Sequence, residues 1–302
     1  MRKRVLTFLI WAILTAAACL LLYPSFMDAL ANVSQESAIG SYAESVSGLS
    51  GNDISEELAE AEAYNQTILQ QQIAQPFSYR GSAAGNEDST YMHTLNVSDG
   101  VMAYIDIPKI NLNLPVVHGT NADDLTYAVG HMYGTSLPVG GPGTHAVIAA
   151  HTGLATATLF TNLTEMEKGD SFFIHVLNEV HRYVVDQIEV VLPEDEDPYL
   201  QVENGKDYVT LYTCTPYGIN DHRLLVRGVR SDPDDQTEDA SDSLIRSVTK
   251  NRKAAIKAAG IALIPIALLV IGIWRTIVCT WKKQEMTDPE SAKDTAGGKE
   301  KK

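Results

Sequence analysis

Residues 210–228, "TLYTCTPYGINDHRLLVRG", place a cysteine, Cys214, nine positions ahead of an arginine, Arg223, with turn-forming residues between them. The chain has three cysteines, and Cys19 and Cys279 fall in long apolar runs, so Cys214 stands alone in the polar portion. An odd cysteine in an oxidising exterior suggests a free, reactive thiol rather than half of a disulfide. A cysteine nucleophile needs a base or a cation that favours its thiolate, and donors for the oxyanion it creates. Arg223 would bring a permanent charge and a fork of N–H donors. If "DYVTLYTCT" and "RLLVRGVR" are neighbouring strands joined by "PYGIND", both groups sit at the loop end of the pair and can face one cleft.

The base must come from elsewhere in the fold, because spacing alone does not identify it. The histidines are His93, His118, His131, His145, His151, His175, His181 and His222. His151 closes the apolar run "HAVIAA" and precedes "TG", which puts it at the mouth of a buried strand. From pattern alone it reads either as a groove-facing base or as a satisfied histidine at a strand end. Arg227 and Arg230 lie further down the strand that Arg223 begins, so they are less well placed. There is no HExxH, paired-cysteine motif, EF-hand loop, P-loop or GxGxxG, so no metal or organic cofactor is expected.

The elements that must position these residues are mostly strands. From residue 101 the texture becomes short β-forming runs between turn signals. Strands are predicted at 102–110, 113–119, 144–152, 171–177, 182–192, 207–215 and 223–230, with short helices over 122–130 and 157–166. Strands at this spacing suggest a barrel or sandwich with minor helices, a mainly β fold. Residues 35–75 are rich in Glu, Ala, Leu and Gln and read as helix. Gln75-Pro76 ends it, since proline disfavours helical backbone in the residue before it.

Two apolar runs frame the folded portion. Residues 5–23 follow the cationic start "MRKR" and match the roughly 20 residues that span a bilayer. The run is longer than a usual signal-peptide core, so an uncleaved anchor is expected. The second run, 258–274 with a possible extension to 281, qualifies if Arg275 reaches the interface. Basic residues at positions 2–4 favour a cytoplasmic N-terminus, and two spans return the C-terminus to that side. The expected organisation is therefore a cytoplasmic start at 1–4, a span at 5–23 and an N-terminal helical region at 24–94. A β domain at 95–230 follows, then an acidic linker at 231–253, a span at 254–281 and a polar cytoplasmic tail at 282–302. The formal charge of −15 argues against a nucleic-acid partner.

The motif "TLYTCTP" resembles the TLxTC signature of sortases, membrane-anchored cysteine transpeptidases of Gram-positive bacteria. The stretches "YGINDHRLLVRG", "GVMAYIDIPKINLNLPVVHGT", "GHMYGTSLPVGGPGTHAVIAAHTGL" and "LFTNL" resemble the pilin-polymerising class C branch, over roughly residues 55–230. The resemblance implies an eight-stranded β-barrel with short helices, an N-terminal lid segment and two flanking spans. It implies that Cys214, His151 and Arg223 are the catalytic residues and that no cofactor takes part. The implied partners are the membrane and pilin subunits bearing LPxTG-like sorting signals and acceptor lysines, with the catalytic domain outside the cell, facing the wall. The oligomeric state stays open. A sortase that anchors proteins to peptidoglycan is the nearer alternative, and a non-catalytic tethered binding module the farther one.

Two departures from the family pattern stand out. The lid tip, typically Asp-Pro-aromatic, falls on Gln75-Pro76-Phe77, which keeps the proline and the ring but lacks the carboxylate. A lid held mainly by Phe77, and so opened more easily, is the expectation. Thr152 stands where many relatives have arginine after the histidine. His222, beside Arg223 in sequence, is expected on the opposite face of the pleated strand, which leaves the base to His151.

Overall fold

β-Branched and aromatic residues in alternating runs favour extended pairing from residue 101 onward. Eight strands form: β1 (Val101–Ile107), β2 (Leu112–His118), β3 (Val129–His131), β4 (Thr144–Ala149), β5 (Ser171–Val176), β6 (Glu179–Val191), β7 (Asp207–Thr215) and β8 (His222–Arg230). They belong to a computed structural model that describes residues 2–77, 85, 87–231, 256–257 and 259–275. The strands close into a barrel in the order β1-β2-β3-β4-β7-β8-β6-β5. Closure removes exposed sheet edges. Its interior is filled by residues such as Ile105, Leu114, Ile148, Phe172, Ile174, Leu211 and Val226, all buried. The eight-stranded barrel with short helices agrees with the expectation.

Seven strands were read from the pattern, and the eighth, β3, is the one missed. The helix predicted over 122–130 is only a 3-10 turn, Asp124–Thr126, and the chain then enters β3. β3 has three residues and a central glycine, too short for alternation to show. Gly130 is required by proximity: a Cβ there would collide with the carbonyl oxygen of Gly119. The predicted strand over 102–110 ends earlier, because Pro108–Ile110 form a 3-10 turn. The predicted strand over 144–152 ends at Ala149, which leaves His151 just beyond the strand.

Helices α1 (Arg2–Gly48) and α2 (Gly51–Ala74) precede the barrel, with the short α3 (Ser89–His93) between α2 and β1. The helix predicted over 35–75 is thus two helices. Ser50 breaks it by starting α2 with a capping box, in which its hydroxyl accepts from Asp53 N–H and the Asp53 carboxylate accepts from Ser50 N–H. α2 ends at Ala74, as the following Gln75-Pro76 requires. The expected boundary at residue 23/24 is not an element boundary, since α1 runs through Pro24.

Within the described residues of 27–231, which belong to one compact unit, the helices dock by polar anchors inside apolar contacts. The Tyr42 hydroxyl donates to the Met102 carbonyl and accepts from Leu177 N–H. The Asn65 amide donates to and accepts from the backbone of Leu137. These anchors satisfy backbone groups that the barrel ends would otherwise bury unpaired.

The second unit takes in residues 1–26 and the described residues from 256 on. The apolar window of α1 has a mean hydropathy of 2.6 and no buried residues, so α1 can anchor the chain in a membrane. Helix α4 (Ala259–Arg275) is apolar but shorter, and among the described residues α1 alone is long and apolar enough to cross a bilayer. The rest of the predicted 254–281 span, the linker at 231–253 beyond Ser231, and the tail at 282–302 lie outside the described residues.

Candidate active site

Strand order assembles the site from segments far apart in sequence. β4 and β7 are parallel neighbours, so their C-terminal ends lie side by side. β8 is antiparallel to β7, so its first residues lie at that same end. Cys214 and Arg223 are direct cross-strand partners, and residues directly opposite on antiparallel strands share a face. Cys214 is a half-buried free thiol.

His151 follows β4 by two residues, and the residue before it, Ala150, is fastened to β7 through its backbone. Ala150 N–H donates to the Tyr212 carbonyl at 3.1 Å, and the Thr213 hydroxyl donates to the Ala150 carbonyl at 2.7 Å. The loop after His151 is braced by the 3-10 helix Leu159–Glu165: Phe160 N–H donates to the His151 carbonyl, and Gly153 N–H donates to the Thr161 hydroxyl. Gly153 has φ +75° and lies under the ring of Tyr217, so the β7–β8 loop rests on the histidine loop. Tyr217 and Ile219 of that β7–β8 loop are about two-thirds exposed, an apolar rim beside the thiol. The structure therefore brings Cys214, His151 and Arg223 to one end of the barrel.

Arg223 is the most constrained of the three. Its Nε–H donates to the Tyr212 hydroxyl at 2.8 Å, and its Nη1 donates to the carbonyls of Asn220 and His222. Among the described residues its Nη2 carries no hydrogen bond, which leaves donors for a ligand. The Tyr212 hydroxyl in turn donates to the Glu196 carboxylate at 2.8 Å, and that carboxylate lies 3.9 Å from Arg223 Nε. Burial opposes the charge of Arg223, but Tyr212 and Cys214 outweigh it and its pKa is raised. Burial likewise pushes the Tyr212 phenol up, and the neighbouring Glu196 adds to the effect. Burial also raises the Glu196 carboxyl, although Tyr212 and Arg223 pull it back down.

His222 pairs with Thr215 on the strand and bonds to Asp221, one residue out of phase with Arg223 and so on the other face. His131 and His145 are buried, and burial pushes both down to about 4. Among the described residues no group of three His, Cys, Asp or Glu side chains is arranged to hold a metal ion.

Of the three predicted lid residues, only Phe77 is buried; Gln75 and Pro76 are exposed. Phe77 belongs to a buried apolar cluster with Met132, Val147, Ala149, Leu200 and Leu225, with Tyr212 packed at its edge. Ala149, Tyr212 and Leu225 form one row across β4, β7 and β8. Alternation puts Cys214 and Arg223 on the same face, one row nearer the end of the barrel. Gln201 clamps the Phe77 backbone, accepting from its N–H at 2.8 Å and donating to its carbonyl at 2.9 Å. Gln75 is not among the partners of Arg223 in the described residues; the carboxylate nearest that guanidinium belongs to Glu196.

Sequence reasoning missed Tyr212, Glu196 and Gln201. Tyr212 was within reach, because it lies two positions before Cys214 and so shares its strand face. Glu196 and Gln201 sit in the irregular segment between β6 and β7, where no periodicity marks them.

The sequence pattern of the family described as the sortase domain matches residues 105–231. Sortase D of Bacillus subtilis (strain 168) is 30% identical over 129 residues, covering 42% of this chain and 62% of that protein, so the match falls short of that relative's full length. The solved structure of sortase C1 of GBS pilus island 1 is 40% identical with a TM-score of 0.61, covering 65% of this chain and 98% of that one. Sortase C of Streptococcus pneumoniae, whose structure is described in terms of pilin substrate specificity, is 42% identical with a TM-score of 0.57, covering 63% and 94%.

Proposed function

Because the chain belongs to the sortase family, we propose that it is a cysteine transpeptidase of the pilin-polymerising kind. The Cys214 thiolate attacks the threonine carbonyl of an LPxTG-like sorting signal. The carbonyl oxygen becomes an oxyanion, stabilised by the unpaired N–H donors of Arg223. His151, as imidazolium, gives its proton to the departing glycine amine as the Thr–Gly bond breaks. The signal is then a thioester on Cys214. A lysine amine of a second pilin attacks this thioester and passes its proton to His151. The thiolate leaves and an isopeptide bond remains.

The observation that carries the reading is the single row of Cys214 and Arg223 on β7 and β8, with His151 held at the adjoining end of β4. The exposed Tyr217 and Ile219 suit an apolar sorting motif. In this reading Gln75-Pro76-Phe77 act as a lid, with the buried Phe77 as its latch. The domain boundaries given above, a second span near 254–281, cytoplasmic termini and an outward-facing barrel complete the picture.

Wall anchoring, with a peptidoglycan amine as the second nucleophile, remains a distinct reading because relatives named sortase D and sortase A share the domain at 30% identity. The test uses the full chain in detergent with an LPxTG-type peptide. A thioacyl adduct on Cys214 by mass spectrometry, absent in Cys214→Ala and strongly reduced in Arg223→Ala and His151→Ala, is the expected result. Peptide cleavage by Cys214→Ala would overturn the mechanism. A ladder of linked pilins, as against a single wall-linked product, decides between the two acceptors.

A further inference from the structure

We infer that Glu196 and Tyr212 are positioning residues for Arg223, a carboxylate–phenol relay built into the barrel that holds the guanidinium over the Cys214 row. The inference rests on the proposed role of Arg223 and adds residues that the family signature does not mark in this sequence.

The direction of each hydrogen bond is forced by the donor inventory. Arginine Nε–H can only donate, so the Tyr212 oxygen accepts at 2.8 Å. The single phenolic proton is then free for Glu196 Oε2, which accepts it at 2.8 Å. The chain of bonds therefore runs one way, from cation to phenol to anion, and each link polarises the next. The carboxylate lies 3.9 Å from Arg223 Nε, close enough for a direct charge interaction but too far for a hydrogen bond. Its contribution to orientation therefore passes chiefly through the phenol. Only 7% of the Glu196 side chain is exposed, so this carboxylate is a built element and not a solvated surface charge. Tyr212 is on β7, two residues from Cys214, so fixing the guanidinium to it fixes the guanidinium relative to the thiol.

This relay also accounts for the departure at the lid tip. Gln75 is exposed and brings no charge, whereas Glu196 supplies a buried carboxylate from the segment between β6 and β7. A flexible arginine held before substrate arrives loses less freedom when the oxyanion forms, so the gain falls on the chemical step.

Full-length variants in detergent, assayed for peptide cleavage and thioacyl formation, test the idea. Tyr212→Phe removes both links and should lower kcat about tenfold while KM stays within about twofold. Glu196→Gln keeps an acceptor for the phenol but removes the charge, and should lower kcat severalfold. The double variant Glu196→Gln/Tyr212→Phe should be no slower than Tyr212→Phe, because the two act in series. In an Arg223→Lys background, which retains a cation but loses the Nε donor, Glu196→Gln should have almost no further effect. Multiplicative losses in the double variant, or a full Glu196→Gln loss without the arginine, would overturn the relay. So would a change confined to KM. Full activity in Arg223→Ala would instead overturn the proposed role of Arg223, and the relay with it. Equal melting temperatures of the variants and the parent show that the effect is on the site and not on folding.

Discussion

The cysteine row and the phenylalanine that packs beneath it are held in opposite ways. Cys214 and Arg223 belong to a closed barrel, where each strand is paired on both sides and a shift of one register would move every side chain to the wrong face. Phe77 belongs to the extension of α2 and is held by one ring and one glutamine. The first arrangement is cooperative with the whole domain, and the second can open locally. In the proposed mechanism a site that must be both accurate and accessible gains from that division, with Cys214 and Arg223 fixed and Phe77 free to open.

The largest expected effect tests the barrel side. His131 and His145 are satisfied as neutral rings: one nitrogen of each meets a carbonyl, of Ser136 and Gln201 respectively, and the other a hydroxyl. Burial lowers both from the ordinary 6.5 to about 4. Below pH 6.5 the unfolded chain therefore binds protons that the folded chain refuses. Stability is complete above pH 6.5 and falls as the pH drops toward 4, by on the order of 3 kcal/mol for each histidine. Denaturant unfolding of the full chain at pH 7, 5.5 and 4 checks this, and a flat profile would show that these rings are not held neutral.

A matched pair of substitutions then sets the two regions against each other across one contact. Leu225→Ala truncates one of the barrel residues in the Phe77 cluster and should cost about 2–5 kcal/mol of global stability. Phe77→Ala should change global stability by less than about 1 kcal/mol, because its segment opens without unfolding the barrel, yet speed thiol labelling of Cys214 about tenfold. Equal losses of stability from the two would mean that cover and barrel unfold as one unit. Unchanged labelling in Phe77→Ala would remove the lid from the mechanism.

The smallest effect sharpens the description of the latch. Gln201→Leu deletes both hydrogen bonds to the Phe77 backbone but leaves the ring in place. Each bond is worth about 1 kcal/mol net, with water replacing part of the loss. A rise of about threefold in labelling, below that of Phe77→Ala, is expected. A rise larger than that of Phe77→Ala would mean that the backbone clamp, and not the ring, holds the cover.

How much of this was legible follows from the range over which each signal acts. Strand alternation and turn residues are local, so seven of the strands, the end of α2 at Gln75, and the juxtaposition of Cys214 and Arg223 could be read directly. The three-residue β3 was invisible because its existence depends on Gly130 passing against Gly119, a contact between distant segments. The break at Ser50 was written in the sequence as a capping box but was masked by continuous helix-forming composition on either side.

The nature of the site divides in the same manner. Residue types and the short gap from Cys214 to Arg223 placed a free thiol beside a permanent cation, since both lie on a single hairpin whose geometry is nearly fixed by its loop. Local context set His151 at the mouth of a strand but left a satisfied histidine as an alternative reading, and only the resemblance implied it as the base. The tertiary structure decided that β4 runs parallel to β7, so that the end carrying His151 meets the end carrying Cys214. It also decided that the acid nearest Arg223 is Glu196, reached through Tyr212, and not a residue of the lid. Strand order around a closed barrel depends on pairing between distant segments, and so does the packing of an irregular loop. No short stretch of sequence encodes either.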